Sequence, residues 1–362
     1  MNKTSKIIAG VIVVILIIWA IAAGVSKNSQ PQAVETIKIG AVLSLSGIAS
    51  SDGESIKNGL ELARTDLKAR GIDVDIAYQD DKTEPKDTVS AMNALGALNV
   101  EAVIGPTWSY LADSGVPVGD RSKMVMIMPA NTSEYVNARS PYAFFTTNKV
   151  ERLSQPLTEW LKQSGKKRIA IIRNQGAWYE VVEKAVLAAA KEAGVEVVFN
   201  ENMQFGTAQS VMATILTKMK AKNPDIIFTE IDDEQGITIF FNRSQQLKID
   251  ADLMSVTTAL GRIVASGSII LNPGNELFLI APKTSDSFNE KYKATYGTNA
   301  KPYADRSYDS LMLLVDAIQN RGDMALNEYL RTRANYKGFI GTYKFDANGD
   351  ISEGEWVVTK LK

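Results

Sequence analysis

The sequence predicts an α/β protein with two parallel sheets covered by helices, preceded by one amino-terminal hydrophobic helix. Three observations predict it. The chain has 362 residues, about two domains' worth. From Ile37 onward short apolar runs alternate with amphipathic stretches, and residues 7–25 form one unbroken apolar run. Hydrophobic residues at 45% and charged residues at 22% are ordinary for a globular chain and remove bulk disorder.

The amino end comes first. Lys3 and Lys6 precede the apolar run and Lys27 follows it. At 1.5 Å per residue the run reaches about 28 Å, close to the hydrocarbon thickness of a bilayer. Residues 1–27 therefore read as a signal anchor or signal peptide, with Ala20-Ile21-Ala22 as a small-residue cleavage pattern. The lysines before the span put the large domain outside the cytoplasm, and the absence of Cys excludes a lipoprotein anchor. Residues 28–36 are polar, contain Pro31 and lack periodicity, so they read as a linker.

In the remainder, Ile37–Leu43 is the first strand, followed by a helix that starts near Asp52 and carries Ile56, Leu60, Ala63 and Leu67 on one face. Strands are predicted at 74–78, 100–104, 124–128, 168–172, 195–199, 225–229, 252–256 and 277–280. Helices are predicted at 86–98, 153–164, 178–193, 210–220 and 307–319. Strand–helix–strand repetition gives parallel sheets with helices on both faces. The carboxyl end differs: runs at 341–345 and 355–359 flank Asn348-Gly349, a hairpin signal.

The chain holds neither Cys nor His, which excludes disulfides, thiol chemistry, His-dependent triads and imidazole or thiolate metal sites. Without residues 1–30, which carry three Lys and no acid, 37 basic residues face 41 acidic ones. No long basic patch exists, so nucleic acid is not an expected partner. No phosphate-binding glycine loop and no nucleophile elbow appears, so no cofactor, metal or catalytic residue is expected.

In open parallel sheets ligands bind beyond the carboxyl ends of the strands. The loops to search are 46–53, 105–110, 129–135, 174–179, 230–236 and 257–261. In the second, Ser109 suits a plain helix cap and an anion-holding hydroxyl equally well, with Trp108 as an apolar wall. In the third, Thr132 completes a carboxylate site or belongs to an ordinary polar loop. In the fifth, Glu230, Asp232, Asp233 and Glu234 form a cation site or a solvated acidic loop. Asp346 to Asp350 lacks the spacing of a calcium loop and reads as a turn.

At these loops the chain resembles the type I periplasmic solute-binding proteins of ABC importers, branched-chain amino acid (Leu/Ile/Val) subgroup. The resemblance rests on Ile39-Gly40-Ala41-Val42-Leu43-Ser44-Leu45-Ser46-Gly47, Asn58-Gly59, Val103-Ile104-Gly105-Pro106, Pro129-Ala130, Asn223-Pro224-Asp225 and Tyr308-Asp309. It ends on Gly338-Phe339-Ile340-Gly341 and Phe345-Asp346-Ala347-Asn348-Gly349-Asp350. It implies two doubly wound lobes joined by a three-strand hinge, with lobe I at 37–147 plus 283–333 and lobe II at 148–282 plus 334–362. It also implies carboxylate binding at Ser109, Ala130 and Thr132, and an aromatic cover at Trp178. Asp52 stands where amino-acid binders carry an aromatic, and Ile231 falls near the family's Tyr. The family's ammonium-binding acid falls near Thr257. Either Glu230, Asp232 or Asp52 then takes the ammonium, or the ligand is not an α-amino acid.

The expected function is that of an extracytoplasmic solute-binding protein, tethered by its amino-terminal helix. It delivers a small carboxylate-bearing ligand, an amino acid or a related compound, to ABC permease subunits by hinge closure. Two rival readings are a sensory ligand-binding component and an extracytoplasmic hydrolase. A repressor-type regulator is disfavoured, because a hydrophobic span stands where a DNA-binding segment would precede the domain.

Overall fold

A computed structural model of the protein describes residues 36–361, apart from 205, 208, 233, 257–259, 261–266 and 268–270. The predicted amino-terminal helix and nearly all of the linker lie outside the described residues. Among the described residues no helix is long and apolar enough to cross a membrane.

The first sheet is built from β1 (Ile37–Leu43), β2 (Val74–Asp80), β3 (Ala102–Ile104), β4 (Val125–Met128) and β5 (Ala143–Phe145), in the order β2-β1-β3-β4-β5. Every pairing in it is parallel. The intervening helices are α1 (Ser50–Ala69), α2 (Pro85–Ala97) and α3 (Ser109–Arg121). The second sheet takes β6 (Arg168–Asn174), β7 (Glu196–Met203), β8 (Ile226–Glu230), β9 (Asp252–Ser255) and β10 (Leu277–Pro282), in the order β7-β6-β8-β9-β10. Its helices are α4 (Ser154–Ser164), α5 (Ala177–Ala193), α6 (Gln209–Lys220) and α7 (Glu234–Gln246). Strand-rich apolar runs such as Ala-Val-Ile and Val-Met-Ile-Met are buried throughout, as parallel strands covered on both faces must be.

The rest of the chain returns to the first lobe. Helices α8 (Asp286–Tyr296), α9 (Ala304–Asn320) and α10 (Leu326–Thr332) join α1 over one face of the first sheet, in a cluster that includes Leu60, Phe144, Phe288 and Leu314. Helices α1 and α9 approach closely because Gly59 has no side chain: a Cβ there would lie 2.1 Å from the Ala304 carbonyl oxygen. A second cluster, with Phe240 and Leu216, covers one face of the second sheet. A third runs through both lobes, from Val103 and Met126 past Phe145 and Leu153 to Ile171 and Val186.

The carboxyl end departs from the predicted hairpin. The runs flanking Asn348-Gly349 do not form one ladder. Thr342–Tyr343 (β12) pairs with Tyr336–Lys337 (β11), whereas Trp356–Lys360 (β13) adds an antiparallel edge to β10. The predicted turn itself is present, closed by the Asp346 carboxylate, which accepts the N–H groups of Asn348 (2.8 Å) and Asp350 (3.0 Å). Residues 336–351, expected with the second lobe, lie against the first. Tyr343 and Ile351 are buried in its cluster, and Asp350 bridges to Phe145. Apolar burial of Tyr343, Phe345 and Ile351 decides this placement, and only the last strand crosses to the second sheet.

The chain thus passes between the lobes three times, after β5, after β10 and before β13. These passages are tied to one another. Asn148 donates to the Glu355 carbonyl (2.7 Å), Trp356 Nε1 to the Lys149 carbonyl (2.9 Å), and the Lys283 N–H to the Glu355 carbonyl (2.8 Å).

Candidate functional site

Each sheet has one topological switch point, between β1 and β3 in the first and between β6 and β8 in the second. At such a point the connections leave in opposite directions and open a crevice beyond the strand ends. The two crevices share one cleft of about 580 Å³, within the range of small-molecule sites. Its lining draws on the loops after β1, β3, β4, β6 and β8 and on Val256 after β9. That is nearly the set of loops the sequence singled out.

The wall of the first lobe is organised by backbone geometry. Gly105 holds φ at +104°, and a Cβ there would lie 2.0 Å from the Val42 carbonyl oxygen. A residue with a side chain would push the loop off β1. Buried Thr107 accepts the Ser44 N–H at 3.0 Å. Asn131 donates from Nδ2 to the carbonyls of Pro106 (3.0 Å) and Thr107 (3.1 Å), which binds the loops after β3 and β4 together. Trp108, Ser109, Ala130 and Asn131 therefore line the same wall.

Ser109 is the first residue of α3, and Trp108 occupies the cap position with extended backbone and no side-chain cap bond. Between the two readings of Ser109, the cap is thus ruled out. Trp108 donates its indole N–H to the buried Asp52 carboxylate at 3.0 Å, a pairing that neither residue announces in sequence. Thr132 does not reach the cleft. It is fully buried, and its hydroxyl donates to Glu134 Oε2 at 3.1 Å. Glu134 in turn accepts the N–H groups of Val150 (2.5 Å) and Glu151 (3.0 Å), so Thr132 supports the passage between lobes from behind the wall.

In the wall of the second lobe, Gly176 (φ +137°) turns the chain into α5 and presents Ala177, Trp178 and Tyr179. Trp178 meets Tyr135 of the first lobe edge-to-face, with ring centroids 4.9 Å apart. Tyr179 donates its hydroxyl to Asp232 at 2.7 Å, and the Asp232 N–H is held by Asn174 Oδ1 at 3.2 Å. Glu230, at the end of β8, is 1% exposed. Its Oε2 accepts the Val256 N–H at 3.1 Å, while Oε1 has no hydrogen-bond partner. Burial first, and then the charge of Asp232, push this carboxyl well above the usual range, against the lowering influence of the Val256 N–H and the Trp178 side chain.

Of the predicted site residues, Asp52, Trp108, Ser109, Ala130, Trp178, Glu230 and Asp232 line the cleft. Thr132 lies behind it, and Thr257, like Asp233, lies outside the described residues. Among the described residues no group of acids is arranged to hold a metal ion. Asn131, Tyr135 and Tyr179 were inside the searched loops but carried no distinguishing signal. Tyr303 was missed altogether. It precedes α9 with φ at +72°, lines the cleft, and has its phenol pKa raised by burial and then by Asp52 and Asp232. A second chamber of about 390 Å³ shares Asp52, Ala130, Trp178 and Tyr303 and continues toward Asn148, Pro282, Arg306 and Trp356.

Residues 36–362 match the sequence profile of the periplasmic binding proteins. The chain belongs to that family. Its members bind solutes outside the cytoplasm and are not enzymes. Among curated relatives, the Leu/Ile/Val-binding protein BraC3 of Rhizobium johnstonii is 24% identical over 350 residues, covering 91% of this chain and 93% of that protein. Among solved structures, the leucine-binding protein LivK of Thermotoga maritima superposes with a TM-score of 0.76 at 21% identity, covering 90% of this chain and 95% of the other. An ABC-transporter solute-binding protein of R. palustris in complex with benzoate gives 0.73 at 20% identity, covering 90% and 93%. These superpositions confirm the α/β fold with two parallel-sheet lobes.

Proposed function

We propose that this protein captures a small carboxylate-bearing solute, an amino acid or a related compound, outside the cytoplasm and presents it to the permease of an ABC importer. The observation that carries this reading is a single cleft lined from the strand ends of both lobes. The relatives add to it: leucine, isoleucine, valine and benzoate, named for them, share a carboxylate. Here that carboxylate meets the Ser109 hydroxyl, the N–H groups that open α3, and the backbone at Ala130. Trp178 covers the ligand from the other lobe. Glu230, Asp232 and Asp52 face its cationic end, and Thr132 holds the carboxylate loop from behind.

Closure follows from differential contact. A ligand touching both walls favours the state in which the walls are near, by as much as its extra contacts there are worth. The rims of both lobes then form the surface read by the permease. Residues 1–27 hold the receptor at the membrane, with 28–36 as its tether. The lobes correspond to residues 37–147 with 283–351, and 148–282 with the final strand.

The test is a thermal-shift and calorimetric screen of the purified protein with amino acids, benzoate-like acids and their amides. A ligand at 100 times its Kd adds about 2.7 kcal/mol of stability. Ser109→Ala is expected to cost about 1.5–3 kcal/mol of affinity for a carboxylate, the worth of a hydrogen bond to a charged group. An amide analogue that binds as well as its acid, or turnover of any solute, would sink the reading.

A further inference from the structure

Two buried acceptors in the cleft wall lack donors. One is Glu230 Oε1, on a side chain 1% exposed. The other is Asn131 Oδ1, on a fully buried side chain. The orientation of Asn131 is fixed, because its Nδ2 already serves two carbonyls and the reverse assignment would set oxygen against oxygen. The two acceptors belong to opposite lobes and both line the cleft.

The charge balance points the same way. Asp52 from the first lobe and Asp232 from the second face one cleft together with Glu230, whose charge burial disfavours until a cation sits against it, and among the described residues no Lys or Arg lines that cleft. Asp113, at the rim, is satisfied by the N–H groups of Asn137 and Ala138. The cations of the adjoining chamber are already matched: Arg306 pairs with Asp305 at 2.7 Å, and Lys301 with Glu54 at 3.6 Å. Most donors in the wall are engaged within the protein. Trp108 serves Asp52, Tyr179 serves Asp232 and Tyr135 serves the Ala130 carbonyl. Beyond the Ser109 hydroxyl and the N–H groups that open α3, the wall offers acceptors and aromatic faces, and both suit a cation bearing N–H groups.

A neutral zwitterion brings one ammonium and one carboxylate. Closing the lobes over it would leave an excess of buried negative charge, which the interior tolerates poorly. We propose that the solute carries a net positive charge, with an ammonium or guanidinium group beyond the one that balances its carboxylate, seated against Glu230. This rests on the cleft being the solute site and narrows the class from neutral to basic amino acids and their relatives.

Calorimetry with three probes tests it: lysine, 2-aminoheptanoate, in which a methyl group replaces lysine's terminal ammonium, and the diamine cadaverine, which lacks the carboxylate. Lysine is expected to bind at least tenfold more tightly than 2-aminoheptanoate. Glu230→Gln is expected to shrink that preference at least threefold while keeping a cooperative thermal transition. Equal affinity, a preference for 2-aminoheptanoate, or a preference untouched by Glu230→Gln overturns the proposal and leaves the carboxylate reading standing. Binding of cadaverine without lysine supports the excess cation and removes the carboxylate reading. Failure of all three probes overturns the proposal, and the carboxylate reading is then decided by the wider screen of acids and amides.

Discussion

Arg306 is the largest of the fully buried side chains, 2% exposed, and its partner Asp305 is 1% exposed. The guanidinium contacts Asp305 at 2.7 Å and donates to Asn148 Oδ1 (3.2 Å) and to the Lys283 carbonyl (3.4 Å), which sit on two of the three passages between lobes. Arg306→Met removes those donors and strands the Asp305 charge in a dry site. Breaking a buried pair in this way costs about 3–5 kcal/mol. The double variant Asp305→Asn/Arg306→Met removes both charges and keeps an acceptor for the Arg306 backbone N–H. It is expected to recover at least about 1 kcal/mol relative to Arg306→Met alone, since no ion is left unpaired. Urea denaturation of wild type, both singles and the double gives the cycle, with a shared m-value as the sign that the unfolded state is unchanged. A double variant as unstable as the sum of the singles would show that the two charges do not interact, and the account of this passage network would fail.

Two further outcomes are expected. Burial, with the nearby charge of Asp305, raises the Asp309 carboxyl to about 7 against the opposing bond from Tyr343, so the native state keeps a proton that the unfolded chain loses near 3.8. Its contribution is complete below that value and is lost as pH rises through about 7, at up to about 1.4 kcal/mol per pH unit in between. The difference in unfolding free energy between wild type and Asp309→Asn should fall over that window and flatten above it; parallel curves would contradict it. Gly59→Ala sets a methyl 2.1 Å from the Ala304 carbonyl oxygen and should cost about 1–3 kcal/mol, read by thermal denaturation, and a change within 0.5 kcal/mol would show that α1 and α9 have room to spare.

The parallel lobes were legible because their signal is local. Continuous apolar runs separated by amphipathic helices identify covered strands wherever they occur, and the loops after those strands follow at once. The short strand β5 and the crossings of the carboxyl end were not legible. Asn348-Gly349 is a correct turn signal, but partner choice for the flanking runs depends on which sheet edge and which apolar cluster lie within reach. Site residues divide the same way. Ser109 was found from its place after a strand, and Trp178 from the family resemblance. Thr132 was chosen over its neighbour Asn131 because hydroxyls suggest anion binding, and only the Glu134 contact shows where that hydroxyl points. Tyr303 enters the cleft from a helix start, in a backbone conformation that no sequence pattern near it marks.

Neither half of the molecule is one continuous piece of chain. Three of the four helices that shield one flank of the first sheet, α8, α9 and α10, are made only after the second sheet has been almost completed, and β13 returns to the second sheet last of all. A polypeptide emerging from the ribosome must therefore carry an apolar flank covered by α1 alone through most of its synthesis. Such a chain acquires native structure late and needs shielding by chaperones in the interval.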